Sequence, residues 1–218
     1  MTPRHHPDDA LLLAHAAGGL DGAMSLVIAT HLAFCGICRQ AVRRQERIGG
    51  ALLEDLPPVA MEEGAQERAM SRLRAMSRLD EPFEAPLSQP SNDNMPLPLR
   101  AAMGGDLSQI GWRKMGSQLG YVTLYRRGPV AVRLLKGAPG ADTGPHSHRG
   151  MEYTVVLRGG YTDETGSYGP GDFQAASADM FHNPVADPGE ECINLAVTTG
   201  PLHFRGLVQK VVGRLFGF

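Results

Sequence analysis

The feature that most limits how this chain can fold is a change of texture near its middle. Between residues 81 and 98, Pro82, Pro86, Pro90, Pro96 and Pro98 alternate with polar residues and with Ser91-Asn92-Asp93-Asn94. Proline locks φ and removes an amide donor, so this stretch supports neither a helix interior nor a central strand. Before it, apolar residues recur at helical spacing. After it, short apolar or alternating runs are separated by Gly, Pro and Asp turns. The chain is therefore expected to divide into a helical part, 1–80, a Pro-rich linker, 81–98, and an all-β part, 99–218. With 218 residues, it has enough length for two domains.

In the first part, Pro7 can open a helix with Asp8 and Asp9 in its first turn, running through Leu11, Leu12, Leu13 and Ala16 to Gly18-Gly19. Asp21 can cap a second helix reaching Cys35. A third begins near Ile37, with Val42, Ile48 and Leu52 on one side and Arg39, Arg43, Arg44 and Arg47 largely on the other. Pro57-Pro58 ends it. Glu62-Glu63 opens a fourth, to about Leu79, where Ala69, Leu73, Met76 and Leu79 form a one-sided apolar stripe. In the second part, the runs 120–125, 130–135, 152–157 and 192–197 read as strands. Their number and close spacing predict an antiparallel sandwich or barrel. The apolar tail, 206–218, is expected to pack back on it as a strand or short helix.

Chemistry concentrates at two places. His31 and Cys35 are four apart, so a helix points them the same way one turn apart. Gly36 permits a bend, and Cys38 completes a Cys-x-x-Cys. Thiolate and imidazole at this spacing suit tetrahedral zinc. A fourth ligand must come from upstream, where the imidazoles are His5, His6 and His15; residue types alone leave the three open. The second place is His146-x-His148-x3-Glu152. Two histidines two apart share one face of a strand. With Glu152 they can hold a first-row divalent ion, and His182 is the best fourth candidate.

Composition narrows the function classes. The 21 basic side chains against 23 acidic ones give a net charge of −2, and aromatics make up 6%. Neither favours direct binding of nucleic acid. Three cysteines, two in a metal-like pair, read as a reducing compartment rather than a disulfide framework. The N-terminal residues lack the apolar core of a signal peptide, and the run Met24–Phe34 is too short to span a bilayer. A soluble cytoplasmic protein is expected.

These motifs resemble known families. Gly140-x5-His146-x-His148-x3-Glu152-x6-Gly159 resembles the first cupin motif. Gly171-Asp172 and His182 match part of the second, while Ser177-Ala178-Asp179 stands where that motif has Pro-x-Gly. His31-x3-Cys35-x2-Cys38 resembles the motif of zinc-binding anti-sigma factors, whose fourth ligand is an upstream histidine. A four-helix zinc domain, a linker and one cupin domain together resemble the ChrR-type cytoplasmic anti-sigma factors over essentially the whole chain. The resemblance implies a one-to-one complex with an extracytoplasmic-function sigma factor of the sigma-E group, relieved by singlet oxygen or organic peroxide with help from the cupin domain. It implies zinc on His6, His31, Cys35 and Cys38, and a second divalent ion, also zinc, on His146, His148, Glu152 and His182. The stripe Ala69, Leu73, Met76 and Leu79 is then the expected partner surface. The rival reading is a metal-dependent cupin dioxygenase or isomerase with an accessory zinc domain. The altered second motif weighs against it, so no catalytic residue is expected.

Overall fold

The computed structural model describes residues 2–79 and 95–204, and for 76–79 and 203–204 only the backbone. The expected course of the tail 206–218 and most of the linker lie outside the described residues. Among the described residues, five α-helices come first: α1 (Asp9–Ala16), α2 (Gly22–Phe34), α3 (Gly36–Glu54), α4 (Ala65–Leu79) and α5 (Leu97–Met103). Eleven strands follow: β1 (Arg113–Met115), β2 (Leu119–Arg127), β3 (Val130–Gly137), β4 (His146–His148), β5 (Glu152–Arg158), β6 (Tyr161–Asp163), β7 (Gly166–Tyr168), β8 (Phe173–Ala176), β9 (Val185–Ala186), β10 (Cys192–Thr198) and β11 (Leu202–Phe204). Among the described residues no helix is long and apolar enough to cross a membrane.

The helix starts follow from their caps. The Asp8 carboxylate accepts from the Leu11 amide and that of Asp21 from the Met24 amide, each at 2.8 Å. Asp8 therefore takes the cap, and Pro7, expected as the first helical residue, lies just before it. The bend expected at Gly36 falls one residue earlier. Cys35 is extended (φ −102°, ψ 106°), ends α2 and caps α3, its sulfur accepting from the Cys38 amide at 3.4 Å. Arg39, on the arginine side of α3, is exposed and reaches back to the Leu32 and Ala33 carbonyls at the end of α2. A cation there meets the negative end of the helix dipole.

A six-stranded antiparallel sheet runs β1-β2-β3-β10-β5-β8. A second, β7-β6-β9, and the pair β11-β4 complete the β part. Because side chains alternate along a strand, each central strand presents two sets. Val132, Leu134, Val155, Phe173, Leu195 and Val197 face the helices and join Val27 and Ile28 of α2 and Leu99 of α5 in one core. Arg133, Glu152, Thr154, Gln174, Asn194 and Thr198 face the other way and line a cavity of about 100 Å³ inside the β part. With both faces covered, these strands are buried along most of their length, polar side chains on the cavity side included.

The packing does not break where the composition does. Met95 and Leu99 are buried, and α5 lies against α2. By contrast, α3 is 19 residues long, yet its buried residues are Cys38 and Val42, both near its start. At 1.5 Å per residue, roughly the last 15 Å of α3 carries Ile48 and Leu52 outward rather than into the core.

Two candidate metal centres

The first cluster is assembled from three places. His31 ends α2 and Cys35 and Cys38 start α3, while His6 comes from the extended segment before α1. His6 Nδ1 lies 3.4 Å from both Cys35 Sγ and Cys38 Sγ. His31 donates its Nδ1–H to the Gly171 carbonyl at 2.7 Å. That bond fixes the ring and leaves Nε2, which is fully buried without a hydrogen-bond partner. One ligand atom from each of the four lies within 4.8 Å of the others. A buried imidazole nitrogen aimed at two thiols and a second imidazole fits a tetrahedral soft-metal set. Burial pushes the Cys38 thiol up to about 12, and the neighbouring Cys35 sulfur adds to the shift. Burial also pushes His31 down to about 4. Cys38 and His31 are thus both held in their neutral forms, and a cation is what would favour the Cys38 thiolate. Of the three upstream histidines, His6 joins the cluster. The His5 ring lies 4.5 Å from that of Tyr168, and His15 is on α1.

The second cluster lies inside the β part. His146 and His148 are on β4, Glu152 opens β5, and His182 pairs with His146 in an isolated bridge. His148 Nε2 is 3.2 Å from Glu152 Oε2 and 3.3 Å from His182 Nε2. The four ligand atoms again fall within 4.8 Å of one another, and all four residues are buried. His146 Nδ1–H donates to the Gly144 carbonyl at 2.8 Å, and His182 Nδ1–H to Asp163 Oδ2 at 2.9 Å. Each bond sets a tautomer whose Nε2 faces the cluster, the usual arrangement behind a metal-bound histidine. Burial raises the pKa of Glu152, yet the charge and hydrogen bond of His148, and then His146 and His182, outweigh it and hold the carboxyl down at about 2. The same contact lifts His148 above its ordinary value against its own burial. Three imidazoles around an ionised carboxylate fit a divalent cation.

The chain has a relative that matches it from end to end. The anti-sigma-E factor ChrR of Cereibacter sphaeroides is 40% identical over 99% of this chain and 99% of its own. The chain belongs to the ChrR family. Residues 101–203 match the family described as ChrR Cupin-like domain. A solved structure, Rhodobacter sphaeroides SigE in complex with the anti-sigma ChrR, covers 90% of this chain and 99% of the matched one, with 39% identity and a TM-score of 0.72. The family architecture, N-terminal helices followed by an antiparallel cupin, is the one described above.

Three residues stand behind the ligands: sequence reasoning missed Asp163, and it read Gly171 and Asp172 as part of the second cupin motif without their link to the helical cluster. Asp163 orients His182. Gly171 orients His31 across 140 residues of chain. Asp172 holds the segment that carries His6: its Oδ1 accepts from the Arg4 amide at 2.5 Å and the His5 amide at 3.0 Å, its Oδ2 from Gly169 at 2.8 Å. The available signal was the turn-forming run Gly169-Pro170-Gly171-Asp172.

The expected partner stripe lies on α4. Ala69 and Leu73 are exposed there, and Met76 and Leu79 lie outside the described side chains. Exposed apolar side chains are not confined to that stripe. They include Ile48, Leu52 and Leu53 on α3, Leu56, Val59 and Met61 between α3 and α4 in sequence, and Met70 on α4.

Proposed function

We propose that this protein is an anti-sigma factor that binds an extracytoplasmic-function sigma factor of the sigma-E type, one to one, and withholds it from RNA polymerase. The observation that carries this reading is 40% identity, over 99% of both chains, to a protein named anti-sigma-E factor. The surface supports it. Val59 at 88% and Met61 at 72% exposure, with Ile48, Leu52 and Leu53 beside them in sequence, leave more apolar area to solvent than a chain without a partner needs. The unpartnered apolar face of an amphipathic helix such as α3 is what a partner helix covers. Ala69 and Leu73 are exposed on α4 as well, and in this reading the sequence stripe Ala69, Leu73, Met76 and Leu79 is part of what the sigma factor contacts.

In this reading, His6, His31, Cys35 and Cys38 hold zinc. The ion would contribute on the order of 10 kcal/mol to the fold around it. The protein's own part is to hold α2, the start of α3 and the segment before α1 at fixed angles. His146, His148, Glu152 and His182 hold a second divalent ion, which we assign as zinc. Residues 1–80 carry the inhibition. Residues 99–218 carry the response to singlet oxygen or organic peroxide. The protein works by binding, not turnover, and in the cytoplasm.

The test is inhibition of sigma-dependent transcription by the full chain and by its Cys35→Ser/Cys38→Ser form. The unmodified chain is expected to inhibit at one equivalent. The double variant should lose both zinc at the first set and inhibition. Retained tight binding by that variant would refute the zinc scaffold.

A further inference from the structure

Both clusters are tied to the same short strand, from opposite faces. β8 has four residues, about 10 Å of chain, and its side chains alternate. Phe173 faces the helices, its ring edge-on to that of His31 with centroids 6.0 Å apart, and its amide donates to the His5 carbonyl at 3.1 Å. Gln174 faces the interior. Its Nε2 donates to Asp163 Oδ2 at 2.7 Å and to the Thr165 hydroxyl at 2.9 Å, and its Oε1 accepts from the Tyr161 hydroxyl at 2.8 Å. Asp163 Oδ2 is the same oxygen that takes the His182 proton donor at 2.9 Å. Ala176, at the far end of β8, pairs with Glu152.

The turn before β8 completes the link. Gly171 accepts from His31, and Asp172 grips the amides of Arg4 and His5, next to His6. A second path runs parallel to it: the Thr165 hydroxyl meets the Tyr168 hydroxyl at 2.8 Å, and the Tyr168 ring packs on His5 at 4.5 Å.

We propose that β8 and the Gly171-Asp172 turn couple the two centres, so that a metal in the barrel set strengthens retention of a metal in the helical set. The proposal rests on both sets holding metals, as assigned above. A metal on His182 fixes its imidazole, and through it the Asp163 carboxylate and the Gln174 amide. These groups are buried, and a buried network rearranges as a unit because none of its members can turn to water. When His182 is released, Gln174 shifts, and Gln174 shares a four-residue strand with Phe173 and follows Asp172 by two. The hold on His5 and the seat of His31 shift with it. The dependence is reciprocal: filling the helical set tightens the barrel set by the same factor.

Cobalt(II) separates the two sites, because only the helical set contains sulfur and gives a thiolate-to-cobalt charge-transfer band. The appearance of that band tests metal binding itself; its loss at equilibrium against a competing chelator tests the coupling. With the full chain, the free chelator concentration that removes half of the band should be about tenfold lower in Glu152→Gln, whose barrel set is weakened, than in the unmodified protein, a coupling of ordinary size. In a Gln174→Ala background, the effect of Glu152→Gln should shrink to about twofold or less. Equal resistance to the chelator in Glu152→Gln and the unmodified protein would overturn the coupling. An undiminished effect in Gln174→Ala would overturn its route through β8.

Discussion

Gly171→Ala tests the seating of the cupin turn against the helices. Gly171 has φ +86°, and a Cβ there would lie 2.5 Å from Phe34 Cβ, 2.7 Å from Pro3 Cγ and 2.9 Å from Phe34 Cγ. The left-handed backbone costs an alanine about 1–2 kcal/mol. Forcing a methyl into filled space costs about 1–3 kcal/mol more. The sum, about 2–5 kcal/mol, corresponds to a fall in Tm of roughly 5–20 °C for a chain of this size. Gly116→Ala is the control: φ is +71° with nothing within 4 Å of the added carbon, so only the backbone term applies. Calorimetry on both variants should show the larger loss at Gly171. Zinc retention should fall with it, because pushing the turn off Phe34 moves the carbonyl that holds His31. If Gly171→Ala is no less stable than Gly116→Ala and keeps its zinc, the turn does not rest on the helices in solution, and the coupling loses its physical basis.

Other substitutions test neighbouring parts of the account. Asp163→Ala leaves His182 Nδ1 without its acceptor and should weaken metal binding at the barrel set by roughly 10–100-fold, measured by competition with a chelating dye. Asp172 is held below the ordinary carboxylate range: burial works against this, but the Gly169, His5 and Arg4 amides outweigh it. Its contribution to stability is therefore present above the unfolded value of about 4 and is lost as pH falls through the folded one. Exchange protection of the Phe173 amide should drop in that acid window, and Asp172→Asn should lack the step. Leu52→Asp, at a position 65% exposed, should leave Tm nearly unchanged but weaken sigma binding by about 30-fold or more if Leu52 is an interface hot spot. Calorimetric titration of sigma into the variant reads this directly.

Local chemistry was the most legible part of the sequence. Asp21 marks a helix start because a short carboxylate can take the first free amides, and the His31–Cys35 interval puts the two ligands one turn apart, Cys35 standing just past the last helical residue of α2. The alternation in 152–157 and 192–197 likewise gave strands without knowledge of their neighbours. Contacts set by tertiary packing were not legible. Ile48 and Leu52 continue the spacing of Val42, but a stripe says nothing about where its cover ends, and in the fold that cover ends near Val42. Nor did the Pro-rich composition of 81–98 show that Met95, near its end, and Leu99, just past it, are buried in the core shared by α2 and the large sheet. The bond from His31 to Gly171 spans 140 residues and involves a main-chain carbonyl, which has no residue-type signal. His6 illustrates the boundary between these cases: its chemistry equalled that of His5 and His15, and only the course of the chain past Asp172 brings it to the sulfurs.

The most direct test of the central claim is co-purification of the full chain with the extracytoplasmic-function sigma factors of its own source, with metal analysis on the same sample. The account predicts a stable one-to-one complex with one sigma factor and two metal ions per chain, zinc at the Cys35–Cys38 set among them. A metal-loaded chain that captures no sigma factor would contradict it.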